Sequence, residues 1–467
     1  MYEFHISKHM YSRIHFIGIG GISMSAMAEI LISEGYTVTG SDAKDSPIVE
    51  RLKKLGALIY IGHSEDNIGS ADLVIYTDAI SMDNEEFIKA KNLGIPVIDR
   101  ATFLGALMKN YTNSIAVSGT HGKTTTTSML STILNRSVLN PTILLGGELD
   151  EIGGNVKLGS REFILTEACE YKGNILKYFP TMAIILNIDE DHLDYFKGID
   201  HIQDTFADYG KNLDKNSYLI INKDDKGHRR VVDNTEARVF TFSLMEDSDY
   251  KAENISFSEE GYPIYTLNIK GKETYEVNLS VMGLHNVYNS LASIAAAHIY
   301  GIPMEDILKK ISQYTGVHRR LELKGYYNGA KVIDDYAHHP TEIKATLNAL
   351  RNSTDGNIFC VFQPHTYTRT KLLLNSFANS FGAANKIIIT DIYAAREKDN
   401  GMVHSKDLVN AIYDNGADAM YIQTFEDIEH YLLESVKKDD IILTMGAGNV
   451  YLIGDAIVEG HKNKAAV

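Results

Sequence analysis

A glycine-rich segment near residue 120 has the residue types of a phosphate-binding loop. Two residues separate Gly119 from Gly122, and Lys123 and Thr124 follow directly. Glycines let the backbone turn several N–H groups towards one phosphate, and a following helix adds the positive end of its dipole. The lysine can reach the outer phosphates, and the threonine hydroxyl can ligate Mg²⁺. The spacing is shorter than usual and a plain glycine turn is the alternative, but the strand before it and the helix after it favour nucleotide binding.

Two predicted strands end in groups that suit a magnesium–ATP site. One apolar run, from 163, leads to Glu167, and another, 183–188, leads into the acidic run that contains His192. Ligands in α/β sheets gather at the carboxyl ends of strands, and magnesium prefers oxygen ligands. Glu167 and His192, together with Thr124, are therefore candidate metal ligands. The alternative for the acidic run is a solvated loop or a helix cap.

A second glycine turn lies at the N-terminus. Gly18, Gly20 and Gly21 follow an apolar strand, and Asp42 lies at the end of the next strand, where an acid would bind a ribose. The third glycine of the dinucleotide fingerprint is replaced by Ser23. NAD binding, another nucleotide and packing alone all remain open. A nucleotide-linked substrate is favoured, because a phosphate loop follows and no hydride-transfer constellation is apparent.

Length and composition limit the class of protein. The chain has 467 residues, which suggests about three domains, and 44% hydrophobic and 23% charged residues, as in ordinary globular proteins. The net charge of −16 argues against a nucleic-acid or anionic-membrane partner. No apolar run approaches the ~20 residues of a membrane helix. Two cysteines, Cys169 and Cys360, cannot form a disulfide framework, so we expect a cytoplasmic protein.

The elements that position these motifs alternate between strand-like and helix-length segments. This alternation predicts α/β architecture with largely parallel sheets. Three strand–loop–helix beginnings predict helices from Ile22, from about Thr125 and from about Thr341, and they place domains at residues 1–112, 113–321 and 322–467. Pro340 suits the start of the third helix, where its missing N–H costs nothing. Short alternating strands at 264–269 and 274–279 predict an antiparallel segment within the middle domain.

Taken together, these motifs resemble the Mur ligase family, the ATP-dependent ligases that build the peptide of peptidoglycan. The resemblance extends from end to end and rests on 15–21, Gly40-Ser41-Asp42, 119–125, 187–193, 283–289, 318–320, 334–340, 363–370 and 446–449. It implies an N-terminal Rossmann-like domain that binds a UDP-linked substrate, a central P-loop-type ATPase domain with a mostly parallel sheet, and a C-terminal Rossmann-like domain that binds an amino acid.

The resemblance also implies the reaction. ATP would phosphorylate a carboxylate, the amine of an amino acid would attack the acyl phosphate, and a tetrahedral intermediate would lose phosphate. The paired glycines and the 334–340 motif indicate the member that joins L-alanine to the lactyl carboxylate of UDP-N-acetylmuramate, with ATP and Mg²⁺. Three alternatives remain: a sister ligase that attaches a recycled peptide, an NAD-dependent oxidoreductase, and a non-catalytic ATP-binding regulator. The association state is expected to be a monomer or a homodimer, without a stable membrane contact.

Roles carry over residue by residue from the resemblance. Lys123, Glu167 and His192 would be catalytic, and Thr124, Glu167 and His192 would hold magnesium. ATP would contact Gly119, Thr120, His121, Gly122, Lys123, Thr124, Thr125, Asn286, Asn289, Arg320 and Asp335, and Arg319 is a weaker candidate. The UDP substrate would contact Gly18, Gly20, Gly21, Ser41 and Asp42, and the amino acid would contact His338, His339 and Arg369.

Two features depart from the wider family. Several relatives carry a carbamylated lysine that ligates a second metal, but 200–210 contains no lysine. This absence puts in doubt a two-magnesium arrangement built on that group, although other ligands could hold a second metal. Some relatives also have arginine where Thr366 stands, which leaves Arg369 as the main cation for the amino-acid carboxylate. The segment that contains it, 363–370, is predicted to be loop-like and follows the apolar strand 358–362. The histidine pair 338–339 could alternatively cap a helix, and the asparagine pair could be a buried polar contact.

Overall fold

The computed structural model describes residues 2–8 and 10–465. Its strands are β1 Arg13–Ile17, β2 Thr37–Asp42, β3 Leu58–Ile61, β4 Leu73–Tyr76, β5 Val97–Asp99, β6 Asn113–Ser118, β7 Pro141–Leu149, β8 Gly154–Lys157, β9 Ser160–Glu167, β10 Met182–Ile185, β11 Tyr218–Asn222, β12 Arg238–Ser243, β13 Tyr250–Phe257, β14 Pro263–Ile269, β15 Glu273–Asn278, β16 Glu322–Tyr327, β17 Ala330–Asp335, β18 Ile358–Phe362, β19 Lys386–Ile389, β20 Ala419–Tyr421 and β21 Ile441–Met445.

Helices alternate with these strands along the chain. They are α1 Ile22–Ser33, α2 Pro47–Lys54, α3 Glu85–Asn92, α4 Arg100–Met108, α5 Lys123–Leu134, α6 Ile199–Gly210, α7 His228–Val232, α8 Leu284–Ile299, α9 Met304–Ile311, α10 Pro340–Arg351, α11 Tyr367–Leu372, α12 Leu374–Ala378, α13 Ser405–Asp414, α14 Phe425–Ser435 and α15 Tyr451–Ala465. Short 3-10 turns lie at Ile6–Lys8, Glu65–Ile68, Asp150–Ile152 and Tyr171–Lys177.

The chain divides into two compact units. The first comprises residues up to Asp189, Asp200–Phe242 and Ala292–Ile302. The second comprises Glu190–Ile199, Ser243–Leu291 and the chain from Pro303 onwards. The three sequence-derived boundaries, 1–112, 113–321 and 322–467, stay a prediction.

The first unit begins with a parallel five-stranded sheet in the order β3-β2-β1-β4-β5. Apolar side chains of β1 are buried on both faces, as expected for a parallel strand covered by helices. Helix α1 begins directly after the glycine turn and is buried along most of its length. The turn between β1 and α1 therefore lies at the carboxyl edge of this sheet, beside the end of β2.

A second sheet of the first unit places the phosphate loop. Its strands follow the order β12-β11-β10-β6-β9-β7-β8, and all neighbours are parallel except β7 and β8. Val117 in β6 pairs with Glu167 in β9, so the loop after β6 and the carboxylate that ends β9 share one edge. A hydrogen bond of 2.8 Å from the side-chain amide of Asn155 in β8 to the carbonyl of Ile22 joins this sheet to helix α1 of the same unit.

The second unit holds the antiparallel strands β13, β14 and β15 and a six-stranded sheet in the order β16-β17-β21-β18-β19-β20. All neighbours in the six-stranded sheet are parallel except β16 and β17. Two apolar clusters cover its faces: one is centred on Phe362 and Phe381, and the other on Val361 and Ile442. Alternate residues of β18 thus serve opposite faces, as the pleat requires.

The sequence predictions for these elements are largely confirmed. The α/β class with mostly parallel sheets is confirmed, as are the helix from Ile22 and the antiparallel pair β14–β15. Pro340 occupies the first turn of α10. The segment of Arg369 was expected to be loop-like, but Arg369 lies in the short helix α11, whose N-cap Thr366 accepts the Arg369 amide hydrogen bond. Among residues 2–8 and 10–465, no helix combines the length and apolar character needed to cross a bilayer.

Candidate active site

The phosphate loop connects β6 to α5 with a backbone that only glycine adopts easily. Gly119 has φ of +129°, and a Cβ there would lie 3.0 Å from the Cβ of Leu186 and 3.1 Å from the amide nitrogen of Asn187. The first-turn amides of α5 have no acceptor within the helix, and its dipole adds positive potential at Lys123. This end of α5 is therefore built to receive an anion.

Lys123 lies folded over the loop. Its Nζ donates to the carbonyls of Gly119 and Thr120 at 2.5 and 3.0 Å, and it lies 3.1 Å from Oε2 of Glu170. Burial opposes the charge of Lys123, but the neighbouring carboxylates, Glu170 foremost and Glu167 with it, favour the charge, and the net effect raises the pKa of Lys123 to about 12. The ammonium is therefore charged at neutral pH and paired within the chain.

Glu167 and Thr124 meet at the same edge. The Thr124 hydroxyl donates to Oε2 of Glu167 at 3.1 Å, and the amide of Gly146 donates to Oε1 at 2.6 Å. A carboxylate next to a hydroxyl at the end of a phosphate loop is a hard-oxygen pair of the kind that magnesium prefers. The donor set fits the metal at these two predicted ligands, which lie in the first unit, whereas His192 belongs to the second.

The far side of the loop is tied to the segment after β10. The amide of His121 donates to Oδ1 of Asn187 at 2.8 Å, and the Asn187 amide donates back to the carbonyl of His121 at 3.0 Å. The Thr120 hydroxyl accepts a bond of 2.9 Å from the amide of Asp189. Thr120 and His121 thus act at least as anchors of the loop, in addition to the predicted ATP contact.

The N-terminal glycine turn is closed by Asp42. Oδ2 of Asp42 accepts a bond of 2.9 Å from the amide of Gly20, and the amide of Gly18 donates to the carbonyl of Ser41 at 2.9 Å. Gly18 has φ of +81°, and a Cβ there would meet the methyl of Thr77 at 2.5 Å. The structure brings together the turn and the acid that were predicted to hold the UDP substrate. The contact itself stays a prediction.

Ser41, also predicted for this site, lies in a buried polar cluster around Glu86. Its hydroxyl donates to Oε2 of Glu86 at 2.6 Å and lies 3.1 Å from Nδ1 of His63. Burial raises the pKa of Glu86, but hydrogen bonds from His15, Ser41 and Asn67 outweigh it and lower the pKa to about 2. The cluster therefore fixes the end of β2 from inside, a role that the sequence did not indicate for Glu86.

In the second unit, Arg369 faces an acid of the chain. Its Nη2 lies 3.1 Å from Oδ1 of Asp191, and its Nη1 lies 3.1 Å from Nδ1 of His365. The backbone of His192 has φ of +53°, and its amide donates to the same Asp191 oxygen at 2.6 Å. The predicted metal ligand His192 and the predicted carboxylate-binding Arg369 are thus linked through Asp191.

The two adjacent histidines have different environments. The His339 side chain caps α10 by accepting the amide of Thr341, while Glu342 accepts both histidine amides, which completes a capping box. The His338 ring packs edge-on against His365 at 5.7 Å between centroids. Burial lowers the pKa of His338, so it is a neutral imidazole at pH 7. His338 faces the cluster of Arg369, and His339 has at least a capping role.

Asp335 and Arg320 lie near the start of α10. Asp335 accepts amide hydrogen bonds from Leu321 and Ala337 at 2.8 and 2.7 Å, and its burial raises its pKa to about 6 although the charge of Arg320 opposes this. The Arg320 guanidinium lies 5.1 Å from the centroid of the Tyr336 ring.

Neighbouring Arg319 is held by the fold itself. It bonds to Asp334 and to the carbonyl of Gly446, and it lies between the rings of Tyr336 and Tyr451. Arg320 is therefore the better candidate of the two for ATP.

Asn286 and Asn289 form the expected pair on one face of α8. Asn289 Nδ2 donates to Oδ1 of Asn286 at 2.9 Å, and Asn286 Nδ2 donates to the carbonyl of Met282 at 2.7 Å. Both side chains are buried. Their mutual contact corresponds to the buried polar pair that the sequence left open, and the ATP contact stays a prediction.

Comparison with known proteins identifies the family. Residues 13–112 match the catalytic domain of the Mur ligase family, residues 117–297 match the Mur ligase middle domain, and residues 319–448 match the Mur ligase glutamate ligase domain. A UDP-N-acetylmuramate–L-alanine ligase of Caldanaerobacter subterraneus subsp. tengcongensis is 50% identical over 98% of this chain and 99% of its own. The chain belongs to the Mur ligase family. A second relative with the same name, from Alkaliphilus metalliredigens, is 51% identical over 98% of this chain and 99% of its own.

Solved structures agree with this Mur ligase over its whole length. The UDP-N-acetylmuramate-alanine ligase MurC of Thermotoga maritima superposes with a TM-score of 0.82 at 29% identity, covering 97% of this chain and 99% of that one. A murein peptide ligase of Psychrobacter arcticus gives 0.73 at 26% identity, with the same coverage of both chains. The three-domain Mur ligase architecture and the class of ATP-dependent ligase are thereby confirmed, and the oxidoreductase alternative is not supported.

Three side chains that contact predicted site residues were not predicted from the sequence. Asp191 and His365 lie inside the motifs 187–193 and 363–370, and Glu170 lies three residues after Glu167, but no role was predicted for these three side chains. In the sequence, the feature that could have pointed to them was their position close to Glu167, His192 and Arg369 along the chain. Which of them contacts Lys123 or Arg369 depends on loop geometry that a sequence does not display.

Proposed function

We propose that this Mur ligase joins L-alanine to the lactyl carboxylate of UDP-N-acetylmuramate while ATP is cleaved to ADP and phosphate. The observation that carries the proposal is the full-length similarity, at 50–51% identity, to relatives that bear this activity in their names. The phosphate loop with Lys123 and Thr124 supports the ATP-dependent step. The murein peptide ligase is similar at only 26% identity, so attachment of a peptide is the weaker candidate.

In the first step the lactyl carboxylate attacks the γ-phosphorus of ATP, and ADP leaves. The transferring group gathers negative charge on its oxygens, and catalysis consists mainly of positioning and charge stabilisation. Lys123 supplies a fixed positive charge, and the N-terminal amides of α5 supply dipoles at the same place. The glycines and Thr125 complete the loop that cradles the phosphates.

Thr124 and Glu167, with His192, would hold Mg²⁺. When bound, the metal neutralises charge between the outer phosphates of ATP and lowers the barrier to transfer. The contact between Thr124 and Glu167 presets two oxygen donors, and the amide of Gly146 fixes the carboxylate in orientation. Asn286, Asn289, Arg320 and Asp335 are proposed to contact the rest of ATP.

In the second step the amine of L-alanine attacks the carbonyl carbon of the acyl phosphate. The ammonium of the amino acid first loses one proton, and the resulting amine then forms the C–N bond. The nitrogen of the tetrahedral intermediate loses a second proton, which leaves with the phosphate as the C–O bond breaks. His338 is a neutral imidazole and can accept such a proton. Arg369 is proposed to bind the alanine carboxylate, with His338 and His339 near it. Gly18, Gly20, Gly21, Ser41 and Asp42 are proposed to hold the UDP moiety.

Phosphate release tests the proposal directly. The full chain is incubated with ATP, Mg²⁺ and UDP-N-acetylmuramate, and each amino acid or a muropeptide-derived peptide is added in turn. We expect release that depends on all components and is greatest with L-alanine. Release with the peptide and none with L-alanine would assign the chain to the recycling ligases instead. A monomeric or homodimeric state and a cytoplasmic location stay predictions.

A further inference from the structure

Arg369 and Asp191 form an almost buried ion pair within the second unit. The Nη2–Oδ1 distance is 3.1 Å, and the side chains are 13% and 10% exposed. The other terminal nitrogen of Arg369 faces Nδ1 of His365 at 3.1 Å. The amide of His192 also donates to the Asp191 oxygen. Both terminal nitrogens of the guanidinium therefore have partners inside the chain. A substrate carboxylate can bind both nitrogens only if it displaces these partners.

This pairing penalises any ligand that carries a single charge. A carboxylate that took Arg369 would leave Asp191 buried without its cation, and an amine that took Asp191 would leave Arg369 without its anion. Separating a buried pair so that one charge remains alone is strongly unfavourable. Simple carboxylic acids and simple amines should therefore bind poorly.

A zwitterion avoids this penalty. Its carboxylate can replace Asp191 on Arg369, while its ammonium replaces Arg369 on Asp191. The number of buried charges of each sign then stays balanced, and each charge keeps a partner. An α-amino acid carries both groups on one carbon, which suits an acid and a cation that lie side by side.

The surrounding rings add no further charge. Burial, together with the charge of Arg369, lowers the pKa of His365 to about 3, and burial lowers the pKa of His338. Tyr393 stacks on His365 at 5.8 Å between centroids. At neutral pH the ion pair is thus flanked by neutral rings, and the cluster of Asp191, Arg369, His338 and His365 has no net charge.

We propose that Asp191 is a specificity-determining residue of the amino-acid site, where it receives the α-ammonium group, and that the Asp191–Arg369 pair selects zwitterionic substrates. This inference rests on the proposed function and deepens it. Asp191 contacts the substrate nitrogen, while Arg369 contacts the substrate carboxylate.

The test measures how one substitution changes the binding of two ligands, and we expect the two affinities to change in opposite directions. L-Lactate has the shape of L-alanine with a hydroxyl in place of the ammonium, so it is assayed as a competitor of L-alanine. In Asp191→Asn we expect the KM for L-alanine to rise about tenfold or more, because a charge-assisted contact is lost. The inhibition constant of L-lactate should fall severalfold, because Arg369 no longer has an internal anion. Damage to the fold would instead lower the affinity for both ligands.

Three further measurements complete the design. Asp191→Glu keeps the charge and should restore the preference for L-alanine over L-lactate. Asp418→Asn removes an acid from the exposed pair with Lys386 in the same unit and should change neither constant. The magnesium concentration for half-maximal rate should stay unchanged in Asp191→Asn. A parallel loss of both ligands, or a shift in the magnesium requirement that accounts for the lost activity, would overturn the role of Asp191.

Wild-type enzyme alone also tests the inference if Asp191→Asn does not fold. L-Lactate should then bind at least about a hundredfold more weakly than L-alanine, since it would break the pair without replacing it. Equal binding of the two would overturn the inference while turnover of L-alanine remained. Absence of turnover with L-alanine would instead overturn the proposed function.

Discussion

The ammonium of Lys123 lies 3.1 Å from the carboxylate of Glu170, a residue that is only 2% exposed. The same ammonium donates to two carbonyls of its own loop. Lys123, the proposed catalytic lysine, therefore has an internal anion as its partner. A phosphate that approaches Lys123 must compete with this carboxylate, and the carboxylate also fixes where the ammonium lies.

Removal of the ammonium should abolish most of the turnover. We expect Lys123→Ala to lower kcat by at least ~100-fold, because the charge on the transferring phosphoryl group then lacks a fixed cation. The measurement is phosphate release at saturating ATP, with thermal unfolding as the check on folding. A near-normal rate at saturating ATP would exclude Lys123 from the chemical step.

Removal of the carboxylate of Glu170 should affect ATP binding and the chemical step differently. In Glu170→Gln we expect a severalfold lower KM for ATP, because phosphate no longer competes for Lys123, together with a lower kcat, because the ammonium is less well positioned. Glu50→Gln is a matched control, since Glu50 pairs with Lys53 at 2.7 Å on the surface of the same unit. An equal increase in KM for every substrate would indicate a structural role for Glu170 only.

Ligand protection tests the N-terminal turn. If Gly18–Gly21 and Asp42 hold the uridine nucleotide, UDP should raise the free energy of unfolding by ~2.7 kcal/mol at a hundredfold excess over its Kd, whereas NAD should not. Differential scanning calorimetry or fluorimetry with each nucleotide provides the measurement. Protection by NAD without protection by UDP would contradict the assignment.

The buried polar cluster around Glu86 predicts how the free energy of unfolding depends on pH. The folded-state pKa of Glu86, about 2, lies below its usual value of 4.5. Its ionised form therefore stabilises the fold above pH 4.5, and this contribution, about 3 kcal/mol, is lost as the pH falls from 4.5 towards 2. Glu86→Gln should lower the unfolding free energy at pH 7 and flatten its acid dependence between these values. Urea unfolding across that pH range measures both effects. An acid dependence of the unfolding free energy that is the same with and without Glu86→Gln would contradict the lowered pKa of Glu86.

The sequence allowed prediction where local patterns decide the structure. The apolar run of β1, the glycine turn after it and Pro340 at the start of α10 depend on neighbouring residues only, and each was predicted correctly. Val117 and Glu167 become partners across β6 and β9, and the resemblance to the family anticipated that Glu167 belongs with the loop.

Contacts between distant loops were not predictable. Glu170 is 47 residues from Lys123, and Asp191 is 178 residues from Arg369. Many acids of the chain could have paired with these cations, because opposite charges attract without a sequence pattern that selects one partner. The helical state of Arg369 was missed for a related reason, since α11 spans only Tyr367–Leu372 and begins with the Thr366 cap.

Substitution of Arg369 separates the amino-acid site from the ATP site. Arg369→Ala should raise the KM for L-alanine far more than the KM for ATP, because the substrate carboxylate loses its cation. Loss of a charge-assisted pair costs ~1.5–3 kcal/mol, or roughly a ten- to hundredfold change. Arg369→Lys should recover only part of the affinity, because an ammonium lacks the planar two-nitrogen fork with which a guanidinium binds a carboxylate. Both constants are measured in both variants, with Lys371→Ala in the same helix α11 as the control. An unchanged KM for L-alanine in Arg369→Ala, or equal losses for both substrates, would remove Arg369 from the amino-acid site.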